Sequence, residues 1–228
     1  MGSDRPPKRI GLLLPSSGTV QEVDFYRRVP DGVTVHSARM RLRGTTEPDE
    51  IRMLDEYTLP AARDLATIRP DVVVFSCTSA GALRGAAYEE RLCDRIAEET
   101  GARTISTMAA VRDEIGRLGA RSVAVLTPYT EALSERIRVS LESVGVSVPA
   151  VHGLGLSDSL AIASVPPAEI HAFALDRLQG LRPDAVFIAC CTFRAFDAKP
   201  AIEDSLGLPV VTSNSAALGA ALRTLSAA

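Results

Sequence analysis

Short apolar runs alternate with longer amphipathic stretches along the chain, and this alternation predicts an α/β fold. Most of the apolar runs are too continuous to belong to strands with one exposed face, so they indicate a buried, mainly parallel sheet. The predicted strands lie at residues 9–14, 33–42, 71–76, 104–106, 122–127, 146–151, 184–189 and 209–212. Helices are predicted where apolar residues recur every three to four positions, for example at residues 83–99, 131–144 and 168–178.

One sequence motif occurs twice. Residues 69–77 (RPDVVVFSC) align without gaps with residues 182–190 (RPDAVFIAC), an offset of 113 positions from residue 77 to residue 190. Residues 10–16 fall on residues 123–129 at the same offset, which is close to half of the 228-residue chain. Two motifs that share one offset indicate two copies of one unit, related by a pseudo-twofold axis.

The repeat predicts two Rossmann-like lobes, each a mainly parallel sheet flanked by helices. The first lobe is expected at residues 9–114 and the second at residues 115–228, after a disordered arm at residues 1–8. This division also allows a strand or helix to be exchanged between the lobes at the chain ends.

Cys77 and Cys190 stand at the carboxyl ends of two equivalent predicted strands. Ligands bind outside this edge of a parallel sheet, and a pseudo-twofold axis would place the two thiols on opposite sides of one cleft. The loops at residues 15–19 and 128–130 would reach the same cleft, where helix N-termini attract anions. The positive end of a helix also favours thiolate, so we expect both thiols to have a lowered pKa.

Two thiols that face one substrate suit two reactions. One thiol can remove a proton from a carbon while the other protonates the opposite face, which is racemisation. Alternatively, one thiolate can add to an activated double bond and leave after rotation, which is cis–trans isomerisation. Both reactions need hydrogen-bond donors for the oxyanion that forms. Nearby hydroxyls are those of Thr78, Ser79, Tyr129 and Thr192. A cysteine–histidine pair is not expected, because none of the three histidines lies in a loop near the cleft.

At these residues the chain resembles the aspartate/glutamate racemase superfamily, and within it the branch of maleate cis–trans isomerases and arylmalonate decarboxylases. The resemblance spans nearly the whole chain and rests on five motifs: LPSS at 14–17, CTS at 77–79, TPY at 127–129, GLGL at 153–156 and ACCT at 189–192. It implies an enzyme that holds a small carboxylate between cysteines of two related lobes. It also implies that neither a metal nor an organic cofactor takes part.

The resemblance assigns catalysis to Cys77 and Cys190. Cys190 matches the cysteine of both the isomerases and the decarboxylases, whereas Cys77 matches one that the decarboxylases replace with glycine. The presence of Cys77 therefore favours an isomerase or racemase. The residues expected to bind the substrate are Pro15, Ser16, Ser17, Thr78, Ser79, Tyr129, Cys191 and Thr192.

Three functions are open at this point. The favoured function is a maleate cis–trans isomerase-like isomerase, or a racemase, that acts on a small carboxylic acid. The first alternative is an arylmalonate decarboxylase-like enzyme in which Cys190 is the proton donor. The second alternative is a non-catalytic carboxylate-binding module.

The sequence departs from the maleate isomerase pattern at two places. Gly18 stands where those enzymes have an asparagine, and Asp158 and Ser159 stand where they have a second one. The loss of two buried amide donors costs about 1 to 3 kcal/mol each if nothing replaces them. A small carboxylate other than maleate, with one bulkier or apolar substituent, fits equally well.

Composition and charge limit the remaining classes. The chain has 25 basic and 28 acidic residues, no tryptophan and no basic run, which disfavours nucleic acid as a partner. The apolar runs are too short to cross a membrane, and no secretory signal precedes them. We expect a cytoplasmic protein with reduced thiols, one of which, Cys93, is a packing residue. The family resemblance implies a homodimer or a higher homo-oligomer.

Overall fold

Eight strands form two four-stranded sheets in residues 6–44 and 46–227, the part of the chain that the computed structural model describes. All strand pairs are parallel, and the order is β2-β1-β3-β4 in the first sheet and β6-β5-β7-β8 in the second. The identical order confirms the predicted fold of two related lobes. The strands are β1 (Lys8–Pro15), β2 (Val33–Met40), β3 (Val72–Phe75), β4 (Thr104–Ser106), β5 (Val123–Thr127), β6 (Val151–Gly153), β7 (Ala185–Ile188) and β8 (Val210–Thr212).

Helices connect successive strands and cover both sheets. They are α1 (Gln21–Arg28), α2 (Glu47–Arg52), α3 (Thr58–Ala66), α4 (Thr78–Leu83), α5 (Ala86–Thr100), α6 (Thr107–Arg117), α7 (Glu131–Glu142), α8 (Ser159–Ser164), α9 (Pro167–Leu178), α10 (Ala195–Leu206) and α11 (Ser213–Ala227). A π-helical turn, Met53–Tyr57, joins α2 to α3. No helix among the described residues has both the length and the apolar character needed to span a membrane.

The aspartate of the repeated RPD motif explains why the motif precedes a buried strand in each lobe. The Asp71 carboxylate accepts the backbone N–H of Arg9 at 2.7 Å, and the Asp184 carboxylate accepts the backbone N–H of Ser122 at 2.9 Å. Each bond joins residues 62 positions apart. The same side chain therefore ties the two central strands together at the same place in both halves.

Each sheet packs against a helix from the other half of the chain. Leu218 of α11 belongs to the apolar cluster that contains Ile10 of the first sheet. Val111 of α6 belongs to the cluster that contains Val125 of the second sheet. Because β3, β5 and β7 are buried along their whole length, these helices close the cores on which the strand ends rest.

Several boundaries differ from the sequence predictions. The predicted strand at 146–151 is wrong for most of its length, since β6 begins only at Val151, and Ser147 forms an isolated bridge with Ser122. The helix predicted from residue 83 begins at Ala86, because Gly85 adopts a positive φ of 79° and separates α4 from α5. The first strand starts at Lys8, inside the predicted arm, and residues 1–5 of that arm lie outside the described residues.

Candidate active site

A narrow cavity of about 30 Å³ lies between the carboxyl ends of the central strands of the two sheets. The ends of β1 and β3 reach it from the first lobe, and the segments after β5 and β7 reach it from the second. Nine of the ten predicted site residues line this cavity: Pro15, Ser17, Cys77, Thr78, Ser79, Tyr129, Cys190, Cys191 and Thr192. Both predicted catalytic thiols therefore face one small space.

The pseudo-twofold axis passes beside this cavity. Thr78 and Cys191 are equivalent positions of the repeat, 113 residues apart, and the Thr78 hydroxyl lies 3.3 Å from the Cys191 sulfur. Equivalent residues can touch each other only near the axis that relates them. Cys77 and Cys190, which immediately precede these two residues, are thereby held on either side of the axis.

Cys190 has an unusual backbone conformation. Its φ is +92°, and Arg69 is the only other non-glycine residue with a positive φ in the described part of the chain. This conformation costs a residue with a side chain about 1 to 3 kcal/mol, and such strain clusters at functional sites. The turn brings the backbone N–H of Thr192 to 3.3 Å from the Cys190 sulfur, and the Tyr129 hydroxyl bonds to the same sulfur.

Cys77 lies in a different polar environment. Its sulfur is 3.8 Å from the Ser79 hydroxyl oxygen, and Ser79 in turn donates a short hydrogen bond to the carboxylate of Glu50. Glu50 is only 1 % exposed and lines the cavity from α2. Both sulfurs accept backbone N–H groups, that of Ala80 at Cys77 and that of Thr192 at Cys190, but only Cys77 has the carboxylate of Glu50 nearby, so the two thiols are not chemically equivalent.

The expectation of lowered thiol pKa values is wrong. Burial raises the pKa of Cys190 to about 12, although its hydrogen-bond donors act in the opposite direction. Burial also raises the pKa of Cys77 well above its usual value, and the negative charge of Glu50 raises it further. The pKa of Cys191 is raised as well, again by burial. Removal from water therefore outweighs the helix ends, and the resting thiols are neutral near pH 7.

Tyr129 is almost fully buried beside both cysteines. Burial raises the pKa of its phenol well above the usual value, and the nearby Cys190 thiol adds to this shift. The phenol thus keeps its proton and acts as a hydrogen-bond donor at the cavity wall. Gly153 makes room for this arrangement, because a Cβ atom there would lie 2.3 Å from the Tyr129 carbonyl oxygen.

Ser16 and Ser17 were both predicted to bind the substrate, but only one of them lines the cavity. Ser17 lines the cavity, and its hydroxyl lies 3.0 Å from that of Ser159. Ser16 is the one predicted site residue that does not line the cavity: it is exposed and bonds to the backbone of Leu42. Neither serine caps α1, which begins after Val20 without a side-chain cap.

Thr78 and Cys191 have structural partners. The Thr78 hydroxyl donates to Ser213 at 2.9 Å, and the backbone carbonyl of Cys191 accepts a hydrogen bond from Asn214 at 3.1 Å. Asn214 also donates to the buried carboxylate of Asp24. These bonds join the two halves beneath the cavity, and they occupy the hydroxyl that the sequence assigned to substrate binding.

Five residues of the cavity wall were not predicted from the sequence: Leu42, Glu50, Ser76, Ser159 and Ile162. Ser159 begins α8, which follows the edge strand β6 of the second sheet. Glu50 and Leu42 come from the segment that follows β2, which carries no motif at a central strand end. Leu42, Glu50 and Ser159 therefore reach the site through the packing of loops and helices, and not from the end of a central strand.

Cys93, which the sequence predicts to be a packing residue, is half-buried on α5. It faces a wider groove of about 570 Å³ bordered by α5, α6 and α11, away from the other three cysteines. Burial and the neighbouring Glu89 raise the pKa of its thiol to about 12. Among the described residues, no group of three or more His, Cys, Asp or Glu side chains is arranged to hold a metal ion.

Known proteins are similar to this chain in both sequence and fold. The maleate isomerase of Geobacillus stearothermophilus is 28% identical over 232 residues, covering 96% of this chain and 92% of that protein. The arylmalonate decarboxylase of Bordetella bronchiseptica is also 28% identical, over 94% of this chain and 89% of that protein. The crystal structure of the maleate isomerase from Pseudomonas putida S16 superposes with a TM-score of 0.90, at 28% identity, over 96% of this chain and 93% of the other.

These relatives confirm that the chain is an enzyme of the branch expected from the sequence. The arylmalonate decarboxylase family model matches residues 11–228, which is nearly the whole chain. On the strength of that match, this chain belongs to the arylmalonate decarboxylase family, whose fold it shares with the maleate isomerases.

Proposed function

We propose that this chain is a cofactor-independent isomerase that acts on a small carboxylic acid held between Cys77 and Cys190. One observation carries the proposal: the two thiols come from equivalent strand ends and line one narrow cavity. A substrate between them presents one face to each sulfur. This is the arrangement that addition to a double bond, or proton exchange at a carbon, requires.

Cis–trans isomerisation of an unsaturated carboxylate is the favoured reaction. Cys77 loses its proton and its sulfur bonds to one alkene carbon, while the π electrons move onto the neighbouring carbon and its carboxylate. The former double bond is then a single bond and can rotate. Cys190 acts as the acid that protonates the carbanion and later takes that proton back, after which the carbon–sulfur bond breaks and the double bond re-forms.

The carboxylate of the substrate needs donors at the cavity wall. The Tyr129 phenol keeps its proton, and the Ser17 and Ser159 hydroxyls, 3.0 Å apart, also line the cavity. Ser17 precedes Gly18, and Gly18 and Ser159 stand where, by resemblance, the maleate isomerases carry asparagines. Maleate is bound in a solved structure of the P. putida S16 enzyme, so maleate is the first substrate to test.

The runner-up function is decarboxylation of an arylmalonate-like diacid, with Cys190 as the proton donor. The family match and the B. bronchiseptica relative favour it. Cys77 disfavours it, since by resemblance the decarboxylases have glycine at this position. A solved variant of arylmalonate decarboxylase has one glycine changed to cysteine and one cysteine changed to serine, which shows that this fold accommodates such exchanges.

Proton NMR in D₂O against a panel of small mono- and dicarboxylic acids separates the reactions. Alkene isomerisation without deuterium at a chiral carbon indicates cis–trans chemistry, deuterium uptake at a chiral carbon indicates racemisation, and loss of carbon dioxide indicates decarboxylation. A chain that is stabilised by carboxylates but turns none of them over would be a binding module.

Two variants and one matched control complete the test. Under the proposal, Cys77→Gly and Cys190→Ser each lose about a hundredfold or more of the activity, because the first removes the attacking nucleophile and the second removes the proton donor. Cys93→Ser, outside the cavity, retains activity. If Cys77→Gly leaves turnover largely intact, the decarboxylase function is correct instead. The homodimer or higher homo-oligomer expected from the resemblance stays a prediction, to be measured by light scattering.

A further inference from the structure

Two polar side chains, Ser79 and Glu50, lead away from Cys77 in series. The Cys77 sulfur lies 3.8 Å from the Ser79 oxygen, and Ser79 bonds to the Oε1 atom of Glu50. All three residues line the cavity, and all three are at most 5 % exposed. Within the described part of the chain, no such series of hydrogen bonds joins the Cys190 sulfur to a carboxylate; its partners are the Tyr129 hydroxyl and backbone N–H groups.

The direction of these hydrogen bonds follows from counting protons. A serine hydroxyl has one hydrogen, and that of Ser79 points to the Glu50 carboxylate. While Glu50 is ionised, the Ser79 oxygen is therefore an acceptor towards Cys77, and the thiol supplies the hydrogen of this contact. In that state the hydrogen bonds run from the Cys77 thiol through Ser79 to a carboxylate.

The Glu50 carboxylate is poorly compensated. Its second oxygen, Oε2, is buried and has no hydrogen-bond partner among the described residues. The cation whose charge acts on it is Arg136, which is itself paired with the Glu47 carboxylate at 2.5 Å. Burial raises the pKa of Glu50 to about 7; Ser79 and Arg136 lower it and Glu47 raises it. A carboxylate in this environment accepts a proton readily near neutral pH.

We propose that Glu50 is a positioning residue that receives the proton of Cys77, through the Ser79 hydroxyl, as Cys77 attacks its substrate. The proton of Cys77 moves to the Ser79 oxygen while the Ser79 proton moves to Oε1 of Glu50. The electron pair of the broken sulfur–hydrogen bond forms the new bond to carbon. The negative charge leaves Glu50 and ends on the substrate, and no further reactant is needed.

This proposal rests on the proposed function, because it takes Cys77 as the attacking thiol. It also explains how the site works without a histidine base. Burial keeps the Cys77 thiol neutral at rest, and the carboxylate nearby opposes a second negative charge. Transfer of the proton to Glu50 removes that opposition at the moment when the sulfur needs to be nucleophilic, because the proton stays within the cavity and the total charge there does not change.

Alkylation of Cys77 by iodoacetamide tests the relay without any substrate. Mass spectrometry of the peptide containing Cys77 gives the labelling rate, measured from pH 5.5 to 9 in the wild type and in Glu50→Gln. In the wild type we expect the rate to rise as Glu50 ionises near pH 7. In Glu50→Gln this rise disappears, and the rate at pH 8 falls about tenfold or more, because the base is lost.

A purely electrostatic role of Glu50 predicts the opposite sign. The charge of Glu50 raises the pKa of Cys77, so removal of the charge alone would make the thiol more acidic and its labelling faster. A rate at pH 8 that rises or stays constant in Glu50→Gln would overturn the relay. Ser79→Ala should slow labelling as much as Glu50→Gln, and the double variant should be no slower than either single variant.

Glu89→Gln is the matched control. Glu89 is also buried and also accepts a short hydrogen bond from a serine, Ser106, but it does not line the cavity. Labelling of Cys77 should be unchanged in this variant, and an equal fall there would overturn the proposal in favour of general loosening. If the labelling pattern is as expected but no carboxylate is turned over, the proposed function fails while the relay stands.

Discussion

Replacing Cys190 with glycine and with alanine separates the energy of its backbone conformation from the energy of its side chain. Both variants lose the thiol, but only alanine keeps a Cβ atom, which conflicts with a φ of +92°. Cys77 offers a matched position, because it occupies the equivalent place in the repeat with an ordinary φ of −143° and similar burial. The same two substitutions at Cys77 therefore measure the effects of glycine entropy and of the lost Cβ atom on stability without the backbone strain.

The expected size follows from three contributions. At residue 77, the Cys77→Gly variant should have a free energy of unfolding about 1 to 2 kcal/mol lower than that of Cys77→Ala. This difference combines the backbone entropy of glycine with the loss of one buried methyl group. At residue 190 the same contributions apply, but alanine also bears the strain of a positive φ, about 1 to 2 kcal/mol. The difference in free energy of unfolding between the alanine and glycine variants should thus be about 1 to 2 kcal/mol smaller at residue 190 than at residue 77, and close to zero.

Urea denaturation of the four variants measures the free energies of unfolding, with the slope m checked for constancy. We expect the glycine-minus-alanine difference to be clearly smaller at residue 190 than at residue 77. Equal differences at the two residues would refute the claim that the backbone of Cys190 is strained. The comparison does not depend on activity, so it remains informative even for inactive variants.

Three further predictions concern the surroundings of the thiols. The folded chain holds the Glu50 proton up to about pH 7, whereas the unfolded chain loses it near pH 4.5. The stability that protonated Glu50 contributes below pH 4.5 is therefore lost as the pH rises through about 7. The wild type should lose about 3 kcal/mol relative to Glu50→Gln over this range, measured by urea denaturation at each pH, and parallel profiles would contradict the shift. Asn214→Ala removes the donor to Oδ2 of the Asp24 carboxylate, whose Oδ1 keeps Arg28, and the donor to the buried backbone carbonyl of Cys191, which together should cost about 2 kcal/mol or more in the same assay. Gly153→Ala forces a Cβ against the Tyr129 carbonyl oxygen and should lower both kcat and the melting temperature; unchanged values would show that the loop yields.

The repeat made much of the site predictable. Because the offset between Cys77 and Cys190 is also the offset between the first strands, the sequence alone places both thiols at equivalent strand ends. The repeat also predicts that the two sheets share one strand order, as they do, although the order itself was not predicted. The sequence did not reveal that Thr78 and Cys191 meet at the axis, since contact between equivalent residues depends on how closely the lobes approach.

Glu50 shows what the sequence pattern could have revealed. It lies three and four positions before the buried residues Met53 and Leu54, so it occupies the apolar face of its helix. A charge on such a face is a signal of function or of a buried partner. The raised thiol pKa values could not be predicted in this way, because the sequence marks the helix ends but not how completely the lobes exclude water from the cysteines.

In a dimer of identical chains, any residue on the twofold axis meets its own copy, and a mutation there changes both partners at once. This chain carries its two halves in one gene, so the axis holds a threonine from one half against a cysteine from the other. The halves are consequently free to diverge under selection. One inherited half can keep its thiol while the other gains or loses one, so that a single ancestral scaffold can move between distinct chemistries by substitution on one side alone.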